Sequence, residues 1–474
     1  MKAPLHALVI DDEAQIRGFV GEVLREDGWE VSEAESAEQA FALLHERDWF
    51  LVLCDVVLGD ANGFNVLKRF KEELPDTQVV LMTGHGTAVG ALDATAFGAY
   101  DYLLKPFSIE QLLSLLQAVR EQHSTRPRGR IIDRRGEFGH YSSDIELVGR
   151  SEAFIQVMKQ VGRIANTNLP VLITGESGTG KEIVASALHR RSRRSEKPFV
   201  AVNCGAIPSE LIESELFGHA KGAFTGAHID RAGLWEEADG GTMFLDEITE
   251  TTPAFQVKLL RVLQKGEIRR VGSNRSQRLD VRVVAASNRD VEKEIEAGRF
   301  RQDLFYRLNA MTIYLPPLRE RREDIFPLAS RFAERVWSLN PSARFSPEAL
   351  ALLEQYSWPG NVRELENTIV RAVALCTHTV RAEDLPDSIR NYHSASEIKA
   401  KSEATESIQA AEEWPLLSEV EGRYVARVLA HTRGNKQAAA RLLGVDSKTL
   451  VRMIKRHQIE LKSLTVASRP AQPG

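Results

Sequence analysis

Short apolar runs alternate with longer amphipathic stretches through the first hundred residues. The runs lie at 5–10, 30–32, 50–54, 78–82 and 102–104, and strands alternating with helix-length segments predict a doubly wound parallel sheet. In such sheets the ligand-handling groups stand beyond the carboxyl ends of the strands. Those ends carry Asp11 and Asp12, Asp55, Thr83 and Lys105. Three converging carboxylates repel one another unless a divalent cation lies among them, and a carboxylate beside Mg²⁺ can attack a phosphoryl group. Lys105 and the Thr83 hydroxyl are then placed to hold the transferred oxygens. A helix is predicted from Ile109, with Leu112, Leu113, Leu116 and Val119 as its apolar stripe. A stripe of this width suits a core, and a dimer seam is the second use it allows.

A second pattern begins at 171–174, an apolar strand that breaks into Gly175, Glu176, Ser177, Gly178, Thr179, Gly180, Lys181 and Glu182. The spacing is that of a phosphate-binding loop, in which loop amides and a helix N-terminus cradle the α- and β-phosphates and the lysine reaches the β/γ oxygens. Glu182 stands where many such loops place a Ser or Thr for Mg²⁺, so the metal needs another ligand. The apolar run 242–245 ends in Asp246 and Glu247, which suit Mg²⁺ binding and orientation of the attacking water. Further on, Ser346 and Pro347 start a helix with Ala349, Leu350, Leu352 and Leu353 at helical spacing. Near the C-terminus Val420, Tyr424, Val425, Val428 and Leu429 form another stripe. Two helical segments joined at Gly444 follow, and small Ala440 permits them to pack closely.

The chain has 474 residues, more than one core usually supports, so about three domains are expected. Its 43% hydrophobic and 27% charged residues are those of ordinary globular material. No apolar run approaches a membrane span and no signal-peptide pattern opens the chain, which leads to a cytoplasmic expectation. Cys54, Cys204 and Cys376 have no metal-type spacing and suit reduced thiols. The net charge of −5 argues against a protein that coats nucleic acid uniformly. Residues 416–474, however, carry 11 Lys and Arg against 4 Asp and Glu, a net of +7. Phosphate attraction is therefore expected there. Lys448, Arg452 and Lys455 share one face of the last helix, with Thr449 and Arg456 also placed for DNA contact.

DDE at 11–13, DVVLGDANG around Asp55, MTGHG around Thr83 and KPF at 105–107 resemble the response-regulator receiver. The resemblance implies that Asp55 accepts phosphate from a sensor histidine kinase, that Asp11, Asp12 and Asp55 bind Mg²⁺, and that Thr83, Tyr102 and Lys105 form the switch, with Lys105-Pro106 cis. The run GAFTGA, Gly222, Ala223, Phe224, Thr225, Gly226 and Ala227, is similar to the signature of the AAA+ activators of sigma-54 RNA polymerase. It implies contact with sigma-54. By the same resemblance Asn203 restrains Glu247, Asn288 is sensor I, Arg363 is sensor II, and Arg301 and Arg307 are arginine fingers supplied to a neighbouring subunit. An always-charged fork suits a developing γ-phosphate charge. The C-terminal segments resemble the Fis-type helix-turn-helix.

The expected architecture is an α/β multidomain chain: a flavodoxin-like receiver at 1–120, a linker at 121–143, an AAA+ P-loop ATPase with a helical lid at 144–390, a flexible linker at 391–415 and an all-α helix-turn-helix domain at 416–474. The implied protein is an NtrC-like response regulator and ATPase that uses ATP and Mg²⁺. Its implied partners are enhancer DNA, sigma-54 RNA polymerase, a kinase and copies of itself, from a dimer to a hexamer or heptamer ring. Two rivals are a chaperone-like AAA+ remodeller, which GAFTGA and the helix-turn-helix oppose, and a passive DNA-binding regulator, which the complete ATPase residue set opposes.

Overall fold

The computed structural model describes residues 5–84, 86–125, 147–225, 227–337, 344–376, 378–392, 417–432 and 434–457. The chain divides into two compact units, 1–390 and 391–474. Most of the linker expected at 121–143, nearly all of that at 391–415, and Gly226 lie outside the described residues.

The first unit opens with β1 (Leu5–Ile10), α1 (Ala14–Glu26), β2 (Trp29–Ala34), α2 (Ala37–Leu43), β3 (Leu51–Asp55), α3 (Gly63–Glu73), β4 (Gln78–Thr83), α4 (Ala88–Ala96), β5 (Asp101–Leu104) and α5 (Ile109–Thr125). The strands are all parallel in the order β2-β1-β3-β4-β5, the flavodoxin-like arrangement. Alternation along each strand feeds two cores: Leu8, Ile10, Val52 and Leu81 face one layer, Ala7, Val9, Leu53 and Val80 the other. A parallel strand buried on both faces reads as continuously apolar. In α5 the buried stripe is Leu112, Leu115, Leu116 and Val119, whereas Leu113 is 40% exposed. Leu113 does not join that stripe because it is turned about 100° from Leu112, while Leu115 completes the three- and four-residue spacing.

The unit continues through α6 (Glu152–Ala165), β6 (Val171–Thr174), α7 (Lys181–Arg190), β7 (Phe199–Asn203), α8 (Ser209–Phe217), α9 (Leu234–Glu237), β8 (Thr242–Asp246), α10 (Pro253–Lys265), β9 (Glu267–Arg269), β10 (Ser276–Arg278), β11 (Arg282–Ser287), α11 (Val291–Glu296), α12 (Gln302–Leu308) and β12 (Met311–Tyr314). The main sheet, β12-β6-β11-β8-β7, is parallel throughout. A helical lid follows: α13 (Ile325–Trp337), β13 (Arg344–Phe345), α14 (Pro347–Gln355), α15 (Asn361–Leu375), β14 (Thr379–Val380) and α16 (Asp387–Arg390).

The flavodoxin-like layer and the second sheet share one continuous core through α4 and α6. Gly162 makes the approach possible, since a Cβ there would stand 2.0 Å from Thr95 Oγ1. Ion pairs rim the contact: Arg191 Nε lies 2.7 Å from Asp93 Oδ1, and Lys159 Nζ 2.9 Å from Asp101 Oδ1.

In the second unit α17 (Leu417–His431), α18 (Lys436–Leu443) and α19 (Ser447–Arg456) enclose Val425, Leu429, Ala439, Ala440 and Leu450. Asn435 caps α18 and Asp446 caps α19 through their side chains, satisfying N–H groups that a helix start leaves unpaired. Tyr424, expected in the α17 stripe, points outward.

Candidate functional site

The phosphate-binding loop joins β6 to α7 along the carboxyl edge of the second sheet. Gly178 takes φ 77° and Gly180, capping α7, takes φ 98°, conformations that favour glycine. A Cβ on Gly178 would also meet the Gly360 carbonyl at 2.4 Å, so lid and loop touch through backbone. Lys181 is buried, its Nζ donating to the Gly175 and Glu176 carbonyls at 2.9 and 3.0 Å. Burial pulls its pKa below the ordinary lysine value, and Asp246 and Glu247 oppose that shift. Thr179 Oγ1 donates to the Glu176 carbonyl, while Glu182 is exposed on the first turn of α7.

Asp246 ends β8, two strands from the loop, and Glu247 follows with φ 54°. A non-glycine residue at positive φ stores strain. Asn203 ends β7 opposite Asp246. Its Oδ1 accepts from the Gly205 and Ala206 N–H groups. A Cβ on the intervening Gly205 would lie 2.5 Å from Glu247 Oε2 and 3.4 Å from Asn203 Oδ1, so these two side chains flank one bare backbone position. Asn288 lies exposed just past β11. Arg363 Nη1 lies 3.5 Å from Ser177 Oγ. Arg301 and Arg307 bond to other partners: Arg301 forks onto Asp303 and Arg307 onto the Leu263 carbonyl, both exposed. The Cys204 thiol beside the site is pushed up to about 12 by burial.

The turn between Gly222 and Ala227 is braced by its own backbone bonds. Gly222 N–H donates to the Ala227 carbonyl and Ala227 N–H to the Phe224 carbonyl, which closes the turn and turns its middle outward. Phe224 is 43% exposed and meets the His219 ring edge-on, with centroids 5.0 Å apart; Thr225 is exposed too. His219 pairs with Arg231 and Val271 and meets Ser214 Oγ at 2.8 Å, giving the turn a firm base.

In the flavodoxin-like layer Asp11, Asp12 and Asp55 bring carboxylate oxygens within 4.8 Å of one another. Lys105 Nζ bridges two of them, 2.7 Å from Asp11 Oδ2 and 2.6 Å from Asp55 Oδ2, and Lys105-Pro106 is cis. Asp11 is fully buried, and burial raises its carboxyl above the ordinary value despite Lys105. Tyr102 is buried with its hydroxyl on the Thr83 side chain and the Thr87 backbone, and burial raises its pKa. In the second unit Lys448, Arg452, Lys455 and Arg456 are exposed on α19, while Thr449 Oγ1 is bonded to Asp446 Oδ2 within the cap.

Three contacts were not anticipated. Arg319 forks onto Glu176 of the loop at 2.9 and 2.6 Å, Arg321 Nη2 donates to the Thr179 carbonyl at 2.7 Å, and Asn361 reaches Glu176 and Ser177. Of the segments that supply these contacts, 319–321 and 361–363, the sequence reading names only Arg363.

Four family models match the chain in order: response regulator receiver domain over 7–117, sigma-54 interaction domain over 147–314, AAA+ ATPase lid domain over 319–402, and bacterial regulatory protein, Fis family, over 416–457. The transcriptional regulatory protein ZraR of Klebsiella oxytoca is 43% identical over 454 residues, covering 95% of this chain and 98% of that protein. The chain belongs to the NtrC-like family of sigma-54-dependent response regulators. The NtrC regulator of Rhizobium meliloti (strain 1021) is 41% identical over 94% of this chain and 96% of its own length. A crystal structure of NtrX from Brucella abortus in complex with ADP aligns with a TM-score of 0.50 at 32% identity, covering 96% of this chain and all of that one. As an NtrC-like protein the chain carries a receiver, an AAA+ ATPase domain with its lid, and a Fis-type DNA-binding domain. No helix among the described residues is long and apolar enough to cross a membrane.

Proposed function

We propose that a sensor histidine kinase phosphorylates Asp55, whereupon the protein oligomerises and hydrolyses ATP to remodel closed complexes of sigma-54 RNA polymerase, activating transcription from enhancer-bound sites in the cytoplasm. The division of labour follows the limits 1–120, 144–390 and 416–474, with the segments between as linkers. The observation that carries this reading is an outward-facing Phe224 and Thr225 in the same domain as a phosphate loop and an acidic strand end.

In the receiver, Asp11, Asp12 and Asp55 would hold Mg²⁺, whose charge lets carboxylate and phosphoryl oxygens approach. The fit rests on a fully buried Asp11 whose carboxyl is pushed up by burial, a cost that a cation offsets. An Asp55 oxygen attacks the phosphorus of the phosphorylated histidine and the nitrogen–phosphorus bond breaks. Lys105 and Thr83 take the new phosphoryl oxygens. Tyr102, bonded to Thr83, passes the rearrangement to α4 and so to α6.

In the ATPase, the loop from Gly175 to Glu182 binds the triphosphate, as NtrX binds ADP. Lys181 leaves the loop carbonyls for the β/γ oxygens. Asp246 would hold Mg²⁺, whose charge would offset that of the phosphate oxygens. Glu247 orients the attacking water under restraint from Asn203, Asn288 senses the γ-phosphate, and Arg363 reaches it from the lid. Arg301 and Arg307, bonded to partners outside their own loop, serve a neighbouring subunit in a hexamer or heptamer. Turnover moves the turn from Gly222 to Ala227, which grips sigma-54, while Lys448, Thr449, Arg452, Lys455 and Arg456 hold the enhancer. Thr225→Ala is expected to keep ATP hydrolysis and lose open-complex formation; open complexes formed at the unaltered rate would overturn the assignment.

A further inference from the structure

The lid helix α15 starts on a strained, buried residue that grips the phosphate loop. Asn361 is fully buried and holds φ at 53°, a conformation that persists in a non-glycine residue only where its surroundings impose it. Its amide nitrogen donates to Glu176 Oε2 at 3.1 Å and to the Ser177 carbonyl at 3.0 Å, and its oxygen accepts from the Leu318 N–H at 2.8 Å. The next residue, Val362, donates its N–H to the Gly178 carbonyl at 3.0 Å. Both amide protons and the amide oxygen of this side chain are engaged, and two of the three bonds end on the loop.

Glu176 gives that grip a purpose. It places a carboxylate inside a loop whose work is to bind a polyanion, where a free negative charge would compete with the phosphates. Arg319 forks onto the carboxylate from one side, and the Asn361 amide donates to it from another. Arg319 is the main reason that the Glu176 carboxyl lies below its ordinary range. Both partners belong to the segment that builds the lid, so the charge is held toward the lid.

We propose that Asn361 is a positioning residue for ATP turnover: acting through Glu176 and Ser177, it ties the shape of the phosphate loop to the seating of the lid helix and keeps the Glu176 charge out of the cradle. The Asn361 amide touches loop atoms, and its influence on ATP passes through them.

The test uses the full chain, with steady-state ATP hydrolysis measured at one high protein concentration. Asn361→Asp keeps size and the acceptor for Leu318 but sets a carboxylate against Glu176; it is expected to raise KM for ATP about tenfold with kcat within about twofold. Adding Glu176→Gln, whose amide can donate across the pair, is expected to restore most of the loss. Asn361→Gly, which adopts the same backbone angle without strain, removes the grip alone and is expected to raise KM about threefold or more. An unchanged KM in Asn361→Asp and Asn361→Gly overturns the proposal, as does a raised KM that Glu176→Gln fails to lower. Lys181→Ala separates this failure from a wrong assignment of the ATP site: full hydrolysis by Lys181→Ala would remove the site, whereas its loss beside an unchanged KM at Asn361 removes only the positioning role.

Discussion

Gly162 is the residue on which the contact between receiver and ATPase turns. It lies inside α6, and a Cβ added there would stand 2.0 Å from Thr95 Oγ1, 2.6 Å from the Leu92 carbonyl oxygen and 2.9 Å from the Ala96 nitrogen. Two of these atoms are backbone of α4 and cannot rotate away. Within α6 itself Gly162→Ala should be favourable by about 0.5–1 kcal/mol, because alanine loses less entropy than glycine in a helix. The ATPase fold therefore keeps or gains stability, while seating α4 against the new methyl costs about 1–3 kcal/mol in overpacking. At about 1.4 kcal/mol per factor of ten, the docking equilibrium falls by about 5- to 150-fold. Hydrogen exchange of the full chain reads this directly: amides of α4 lose protection while those of the central sheet do not. ATP turnover of the unphosphorylated protein is expected to move toward that of the phosphorylated protein. Unchanged α4 protection would refute the steric argument, and altered protection with unaltered turnover would refute the link from docking to ATPase control.

Glu247→Gln is expected to bind ATP and assemble but to lower kcat by about 100-fold or more, because an amide cannot take the proton that the proposed role assigns to this carboxylate; ordinary turnover would remove Glu247 from that role. The Asp11 carboxyl, raised above 3.8 by burial, contributes stability to the metal-free receiver that is full below that ordinary value and lost as pH rises through the raised one. Mg²⁺ requires the ionised form, so its affinity, followed by titration, should fall as pH is lowered into the range just above 3.8. A flat affinity across that range would exclude Asp11 as a ligand.

The parts of the chain that are plain in sequence are those where chemistry and period coincide. Strands such as 51–55 are buried on both faces, so their apolar runs need no partner to be identified. The spacing of Gly175, Gly180 and Lys181 encodes a local backbone shape, and a local shape is visible locally. Arg191 and Asp93 are separated by 98 positions and form an ion pair, but each alone is one more charge on or at the end of a helix. Gly162 is no clearer, since a helical glycine carries no mark of the neighbour for which it makes room. Asn361 follows a Pro-Gly turn signal, yet the Glu176 carboxylate that its side chain holds lies 185 positions away and leaves no mark among its neighbours in sequence. Leu113 was misplaced for a simpler reason: four leucines near one another satisfy more than one stripe, and only the facing sheet selects among them.

The contacts between the two carboxylate-bearing sheet edges form an unbroken series. Thr83 meets Tyr102, whose hydroxyl meets Thr87, the cap of α4. The first amide of α4, Ala88 N–H, donates to the Gly149 carbonyl at 3.0 Å. The following Arg150 and Ser151 N–H groups both donate to Asp324 Oδ1, at 2.6 and 2.7 Å. Three residues before Asp324, the buried Arg321 guanidinium lies over the Phe154 ring and donates to the Thr179 carbonyl in the phosphate loop. Burial pulls Arg321 down to about 10, yet it stays charged at neutral pH, so leaving the Thr179 carbonyl would cost a buried cation its bond. Contiguity does not by itself carry coupling; a two-position element that both sites bias does. Helix α4 is bonded at its first turn to Tyr102 on one side and to the segment that leads into the ATPase domain on the other. A shift of α4 by the width of a methyl group must either break the Ala88 bond or drag Gly149 with it. The second course moves the backbone that Asp324 holds, one turn from the arginine that bonds to the phosphate-binding loop.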